Sequence, residues 1–410
     1  MKHFVIIGNG IASAACIEGI RSLDSRGNIT VISEEKHPVY CRPLISYYLE
    51  GKTTPEKMRY RDPNFYERMG AKVLYERKAI SIDPKEKLVQ LDSGEILPYD
   101  MLCIASGSSP FVPPFEGLDK VKKKYSFMTL DDALAIDQDI CSETRVLIIG
   151  AGLIGLKCAE GLKSRVKSLT VCDLAPRILS SILDEGCAAL MQRHLEEKGI
   201  SFLLSDTAIR FEENEAEMKS GVRVPFDLLV LAVGVHANSG IAKDAGADVN
   251  RGILVNESME SSLPGIYAAG DCAEGTDSSD DRKKVLAILP NAYFQGFTAG
   301  VNMAGGKKTF DQAIPMNSIG FFGLHAMSAG NYDGELYEEK TEHSIKRLFT
   351  KDGLLKGFIL IGCEERAGIY TAMIREKTPL SSVNFEFLKK TAGTAAFSSE
   401  DRRKKFGGMV

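Results

Sequence analysis

The sequence lacks any long hydrophobic run. Its longest apolar stretch, Leu228–Val235, is far shorter than the ~18 residues a spanning helix needs, so no membrane span is expected. The start, Met1–Gly8, enters a strand-like segment directly, and no secretory signal is read there. Cysteine pairs are missing too. The nine cysteines (Cys16, Cys41, Cys103, Cys141, Cys158, Cys172, Cys187, Cys272 and Cys363) include no Cys-x-x-Cys or Cys-x4-Cys spacing. That argues against a disulfide framework or cysteine metal site and fits a reducing cytoplasm. The six histidines form no His-x3-His or His/Glu cluster, so no metal is expected. No Gly-x-Ser-x-Gly elbow occurs, which disfavours nucleophilic hydrolysis. Charge of one sign is not in excess either. With 51 basic against 55 acidic residues, net −4, the chain is not a dedicated nucleic-acid binder.

What is present is a globular composition, 44% apolar and 26% charged over 410 residues, enough for two or three domains. Two segments share one plan. The first is a strand His3–Ile7, the turn Gly8-Asn9-Gly10-Ile11-Ala12-Ser13, a helix to about Leu23 and a strand Asn28–Ser33. The second is a strand Arg145–Ile149, the turn Gly150-Ala151-Gly152-Leu153-Ile154-Gly155, a helix and a strand Ser168–Cys172. Continuous Val/Ile/Leu strands suit parallel sheets covered on both faces. Each unit is followed by a later apolar strand closed by small residues, at Tyr99–Gly107 and at Phe226–Gly234. The proline-rich stretch Ser108–Gly117 reads as a domain crossover. Beyond Ala313 the pattern changes to a hairpin, Ser344–Thr350 and Leu354–Gly362 around Lys351-Asp352-Gly353, then a helix from Glu365 to about Glu376. The fold class expected is therefore α/β, with two Rossmann-like dinucleotide-binding domains and a smaller C-terminal α+β domain. The polar end, Ser398–Val410, is expected to fray.

A glycine turn opening a helix holds pyrophosphate for physical reasons. The first glycine allows the tight turn and the second lets the backbone approach, while free N–H groups and the helix dipole stabilise the anion. Here each turn follows a strand, and a carboxylate stands at the end of the next strand. Glu34 lies 26 residues after Gly8, and Asp173 lies 23 after Gly150, where each can accept hydrogen bonds from ribose hydroxyls. Mere packing turns would not require that context. A carboxylate at Asp173 also repels a 2′-phosphate, and the nearest arginine, Arg177, lies past Pro176, so NADH is expected over NADPH. A third signal is Leu263–Ala273, an apolar strand ending in small residues and an aspartate, Gly270-Asp271.

With these motifs the chain resembles the pyridine nucleotide-disulfide oxidoreductases, the two-dinucleotide-binding flavoproteins, from Phe4 to about Thr378. The resemblance implies FAD on the first turn and NAD(P)H on the second, in an inserted domain. It implies that Asp271 holds the ribityl chain and that Pro290–Gly296 starts a helix beside the isoalloxazine. Within the family, Tyr40-Cys41-Arg42-Pro43-Leu44-Ile45-Ser46 and Arg366-Ala367-Gly368-Ile369-Tyr370 are most similar to NADH:rubredoxin oxidoreductases and the flavin part of nitrite reductases. The FAD set so implied comprises Gly8, Gly10, Ile11, Ala12, Ser13, Glu34, Glu35, Arg42, Pro43, Ser46, Ala105, Ser106, Gly107, Gly270, Asp271, Asn291 and Gln295. The NAD set comprises Gly150, Gly152, Leu153, Ile154, Gly155, Asp173, Val233 and Gly234. The implied domains are 1–110 and 238–311 for FAD, 111–237 for NAD, and 312–410 at the C-terminus.

The departures carry information. The family's redox-active cysteine pair is absent. The single-cysteine branch would place its cysteine at Pro43, two residues from Cys41. Two readings of Cys41 stand, a bystander thiol or a redox thiol activated by Arg42. Ferredoxin-reducing relatives often carry a lysine after the serine matching Ser46, paired with a glutamate from the second turn's helix; here those positions are Tyr47 and Lys157. Lys157 either lies near the flavin or nicotinamide with Glu160, or is a solvated lysine on a helix face. Lys157, Glu160 and Cys41 are thus the catalytic candidates.

The function expected is electron transfer from NADH through FAD to a one-electron carrier such as rubredoxin, ferredoxin or another iron–sulfur protein. The rivals are an NADH oxidase, peroxidase or thiol-disulfide reductase using Cys41, and a NADH-sensing flavoprotein subunit of a larger redox complex. Near the C-terminus, Arg402, Arg403, Lys404 and Lys405 follow Lys389 and Lys390, either as a carrier-docking patch or as a solvated tail.

Overall fold

The structure, a computed structural model, describes residues 1–406 and their side chains to Arg403. The first sheet is wholly parallel, in the order Ile266–Ala268, Met101–Ile104, His3–Ile7, Asn28–Ser33, Ala71–Tyr75. The second repeats the arrangement with Ser201–Leu204, Ser168–Asp173, Arg145–Ile149, Leu228–Leu231 and Lys124–Tyr125. The glycine-turn strand is central in both. Phe4, Val5, Ile6, Leu147 and Ile148 are fully buried, as strands covered on both faces must be.

Each parallel sheet carries a three-stranded antiparallel meander that the hydrophobic pattern had not announced, Ala79–Pro98 and Ala208–Pro225. The proline-rich crossover is a short strand, Ser108–Pro110, paired antiparallel with the return strand Val235–Ala237. Ser106 Oγ donates to Asn238 O at 2.8 Å and Asn238 Nδ2 returns a bond to Ser106 O at 2.9 Å.

The helix Ile11–Arg21 crosses the helix Leu289–Met303 with almost no side chain between them. A Cβ on Gly296 would stand 2.0 Å from Ala12 O, one on Gly300 2.1 Å from Cys16 O, and one on Gly19 2.3 Å from Phe297 O. Glycine at these positions is therefore compulsory.

From Met316 the chain forms a five-stranded antiparallel sheet, Met316–Phe321, Leu324–Gly330, Leu354–Ile361, Ile345–Lys351, Glu335–Lys340 in spatial order. Its hairpin turns at Asp352 and Gly353, both at positive φ, as a tight hairpin requires. The helix Ala367–Arg375 packs on this sheet through Tyr370, Met373 and Ile374. Of the end expected to fray, Ser399–Phe406 is instead a helix, and residues 407–410 lie outside the described residues. Lys404 and Lys405 of the suggested docking patch have side chains outside the described residues. Lys389 is held locally by Glu386 at 2.6 Å and lies over Tyr337 and Phe385.

By contacts the chain groups into two compact units. One holds Met1–Leu174, Ser201–Thr276 and Arg282–Ala313; the other holds Ala175–Ile200, Asp277–Asp281 and the chain from Ile314. Both dinucleotide sheets belong to the first unit. Among the described residues, no helix is long and apolar enough to cross a membrane, and no cluster of His, Cys, Asp or Glu could hold a metal.

Candidate functional site

The two glycine turns are built alike, atom for atom. Gly8 N donates to Ile32 O and Gly150 N to Cys172 O, while Ala105 N donates to Ile7 O and Ala232 N to Ile149 O, all at 2.7–2.8 Å. Gly8 and Gly150 have φ of +104° and +116°. A Cβ on Gly8 would lie 2.1 Å from Ala105 O, and one on Gly150 2.2 Å from Ala232 O. The small residues closing the later strands are thus what the first glycines pack against. Gly10 and Gly152 cap their helices with nothing within 4 Å of a would-be Cβ, so a ligand can approach the backbone there. The third positions differ. A Cβ on Gly155 would sit 2.0 Å from Gly150 O, whereas the first turn accommodates Ser13, fully buried.

Around the first turn several polar groups await partners. Ser13 Oγ and both amide atoms of Asn291 are buried with no hydrogen bond. Leaving such groups unmade costs about 1–3 kcal/mol each. Gln295 Oε1 accepts from Gly270 N at 2.9 Å, fixing the strand end beside the helix. Asp271 accepts from Ser108 Oγ at 3.2 Å, and burial pushes its carboxyl up. A polar ligand with hydroxyls and phosphates would satisfy Ser13, Asn291 and Asp271 together, and FAD is such a ligand.

The two acidic residues after Asn28–Ser33 divide their work. Glu34 is exposed at the strand end and pairs with Lys78 at 3.4 Å. Glu35 accepts from Tyr40 Oη at 2.7 Å and pairs with Arg42 at 2.5 Å. Arg42 also donates to Met128 O at 3.0 Å, tying Tyr40–Ser46 to the start of the helix Leu130–Asp139. Ser46 is buried and donates to Pro43 O at 3.1 Å. Neither the Glu35–Arg42 pair nor the tie to Met128 could be inferred from spacing.

At the second turn Asp173 Oδ2 accepts from Ala151 N at 2.6 Å. A carboxylate has about four acceptor positions, so the same group can hold the turn and still meet a ribose. Val233 is partly buried and Gly234, at φ +133°, has open space on its Cα. Arg177 turns its guanidinium to its own loop, donating to Leu183 O and Ser180 O.

The setting of Cys41 favours the bystander reading over the reactive thiol. Its side chain is half-buried, and burial pushes the thiol up rather than down. The cation expected to activate it, Arg42, is engaged by Glu35. All nine cysteines are free thiols; Cys16, Cys103, Cys158, Cys172, Cys187 and Cys272 are buried. The solvated-face reading of Lys157 is also overturned. Its side chain is 18% exposed, is ion-paired with Glu160, and has Nζ 5.0 Å from the centre of the Tyr47 ring. Sequence reasoning paired Lys157 with Glu160 by helical spacing but gave Tyr47 no part.

Comparison with known proteins agrees with this geometry. Residues 2–296 match the pyridine nucleotide-disulphide oxidoreductase family. The chain is 30% identical over 400 residues to the NADH-dependent phenylglyoxylate dehydrogenase subunit epsilon of Aromatoleum evansii, covering 94% of each. It is 30% identical to nitrite reductase [NAD(P)H] of Bacillus subtilis over 98% of this chain, and spans about half, 51%, of that longer protein. Among solved structures, the reductase in a covalent putidaredoxin reductase–putidaredoxin complex superposes with a TM-score of 0.88 at 24% identity, covering 96% and 97% of the two chains. With two matching dinucleotide turns and this extent of similarity, the chain belongs to the pyridine nucleotide-disulphide oxidoreductase family and is an FAD-dependent NAD(P)H oxidoreductase.

Proposed function

We propose that this protein passes electrons from NADH, through FAD, directly to a one-electron iron–sulfur carrier such as rubredoxin or ferredoxin. The observation that carries this reading is the state of Cys41, the one thiol in the Tyr40–Ser46 segment. Cys41 is half-buried and its neighbour Arg42 is bound to Glu35, a setting that disfavours a thiolate relay between flavin and acceptor. FAD, when bound, accepts two electrons together as hydride and can release them singly.

The chain's own residues supply binding and alignment. Gly8–Ser13, Glu34, Arg42, Ser46, Ala105–Gly107, Asp271, Asn291 and Gln295 hold FAD in a domain of residues 1–110 and 238–311. Gly150–Gly155, Asp173, Val233 and Gly234 hold NADH in residues 111–237. Asp173 meets the adenosine ribose and disfavours a 2′-phosphate. The free cysteines support work in the reducing cytoplasm.

The relative in Aromatoleum evansii is named as a subunit and matches over 94% of each chain. That favours a second form of the same chemistry, in which the iron–sulfur acceptor is a fixed neighbour in a complex rather than a diffusing carrier. The test is anaerobic. NADH should bleach the yellow protein, and rubredoxin or ferredoxin should restore the colour faster than oxygen does. Protein that gains no flavin spectrum with FAD, or that turns over only with oxygen or disulfides, would refute the proposal.

A further inference from the structure

The helix Leu289–Met303 has no charged side chain in fifteen residues. Such a helix belongs inside a protein, yet only one side of this one is covered. Asn291, Gln295, Gly296, Ala299 and Met303 are buried. At about 100° per residue, Leu289, Pro290, Tyr293, Phe294, Phe297 and Val301 fall together on the other side. Phe294 is 43% exposed and Leu289 36%, and the remaining four are exposed or half-buried. The rings there form a continuous surface. Tyr293 stacks on Phe297 at 6.3 Å, and Phe294 lies 5.7 Å from both Tyr293 and Phe310, between ring centres. Arg61 lies over Tyr293 at 5.9 Å and is held by Glu18 at 2.6 Å. Lys308 lies over Phe297 at 5.8 Å. Lys307 and Lys308 are exposed, and neither has a carboxylate partner among the described residues.

Exposed apolar surface of this kind marks a contact with another molecule, and aromatic rings are enriched at the buried centre of protein interfaces. The charge pattern decides what kind of contact. A diffusing electron carrier meets its reductase through a small contact steered by charge, whereas a permanent interface resembles a core cut in half. Here the centre is wholly uncharged, and Lys307 and Lys308 stand at its edge. The complement is a partner with an apolar centre and a carboxylate-bearing edge. Its work follows from the covered side of the helix, where the unpartnered amide of Asn291 is assigned to FAD. An α-helix is about 10–12 Å across with its side chains, so a protein seated on the rings stands one helix width from the cofactor.

We propose that the ring-bearing side of this helix seats a permanently bound iron–sulfur subunit. Phe294 lies at the centre of the contact, and Lys307 and Lys308 face acidic residues at its edge. The inference rests on the function proposed above and selects its second form, an acceptor fixed in a complex. Phe294 holds the complex and the two lysines orient it, so the two kinds of substitution separate. Phe294→Glu buries an unpaired charge and dissociates the complex at any salt concentration. Reversing the lysines, Lys307→Glu with Lys308→Glu, weakens it most at low salt, where repulsion is least screened.

The experiment isolates the tagged full chain anaerobically from its own organism, with its FAD, at ~50 mM and ~500 mM salt, and measures iron per flavin. The wild type should carry an iron–sulfur protein whose cluster NADH reduces within the isolated complex, with iron per flavin equal within about twofold at both salts. Phe294→Glu should lose iron by about tenfold or more at both, with NADH bleaching of its FAD unchanged. The lysine reversal should lose iron chiefly at low salt. Iron retained by Phe294→Glu, or absent from wild type at either salt, would overturn the proposal. So would a FAD-loaded chain that dimerises alone by ultracentrifugation and is split by Phe294→Glu, since the seat then belongs to a second copy. Should Phe294→Glu fail to hold FAD, the lysine reversal decides alone, and unchanged iron at low salt overturns the proposal. A wild type that NADH does not reduce defeats the proposed function first, and this inference with it. Iron retained by Phe294→Glu in a protein that NADH still bleaches defeats this inference alone.

Discussion

Replacing Gly155 with alanine should disable the second turn while leaving the first intact. The added Cβ would stand 2.0 Å from Gly150 O, and Cβ contacts under 3.0 Å essentially never occur. The helix Leu153–Leu162 must therefore move off its strand by at least about 1 Å, since the obstacle is backbone and not a flexible side-chain end. Overpacking of this kind costs roughly 1–3 kcal/mol, and a rigid backbone target puts Gly155 at the upper end. The shift carries Gly152 and its cap with it, so half-saturation by NADH should rise by about tenfold or more, equivalent to about 1.4 kcal/mol. FAD should remain bound, because Gly8–Ser13 is untouched. The matching position of the first turn provides the internal control. Ser13 already carries a Cβ, so Ser13→Gly should leave NADH affinity unchanged, and Gly155→Ser should fail as Gly155→Ala does. The assay is stopped-flow reduction of the flavin over a range of NADH concentrations, with flavin content read from the same samples. Gly155→Ala protein that saturates with NADH like wild type would refute the packing argument.

Four further outcomes are expected. Asp173→Ala should narrow the preference for NADH over NADPH by about tenfold, read from the ratio of half-saturation values; an unchanged ratio would remove Asp173 from the cofactor site. Cys41→Ser should keep most NADH-dependent reduction of ferricyanide, whereas near-complete loss with FAD retained would restore the thiol-dependent reading. Asn291→Leu removes two buried, unpartnered amide atoms, so the FAD-free protein should lose no stability, while FAD affinity falls by about tenfold or more. The Arg145 guanidinium holds the Asp227 carboxyl down at about 2, against an ordinary 3.8. A lowered folded value stabilises fully above pH 3.8, and the gain is lost as pH falls through about 2. Arg145→Met should thus cost about 1 kcal/mol at pH 6, after allowing for the screening of a partly exposed pair, with the gap in urea midpoints closing toward pH 2.

The parts of this fold legible in the sequence are those governed by neighbours along the chain. The strand, glycine turn and helix around Gly8 and Gly150 are continuous, and the small closers Ala105 and Ala232 announce themselves by ending apolar runs. The hairpin at Asp352-Gly353 is local in the same way. The two meanders were missed because their strands are short and half-exposed, as in Ala208–Glu212, so neither face shows a clean period. Ser399–Phe406 was misread because it is polar all round and carries no apolar stripe. Within the site, Glu35 with Arg42 and Tyr47 over Lys157 are pairings across the fold. The first joins Glu35, in the loop after a strand, to Arg42, at the start of a separate short turn, and the second joins residues 110 positions apart, so only the tertiary arrangement reveals them.

The crossing of Ile11–Arg21 by Leu289–Met303 has a consequence for biosynthesis. The N-terminal helix cannot cover its glycine face until a segment nearly three hundred residues downstream has left the ribosome, and the sheet beside it also waits for Ile266–Ala268. At roughly 5–20 residues per second that delay is about 15–60 s. During it the second turn and its sheet, whose strands all lie between Lys124 and Leu231, are complete in sequence and free to close. Of the two nucleotide units, the one translated first is therefore finished second, and FAD is captured only after the helix Leu289–Met303 has emerged.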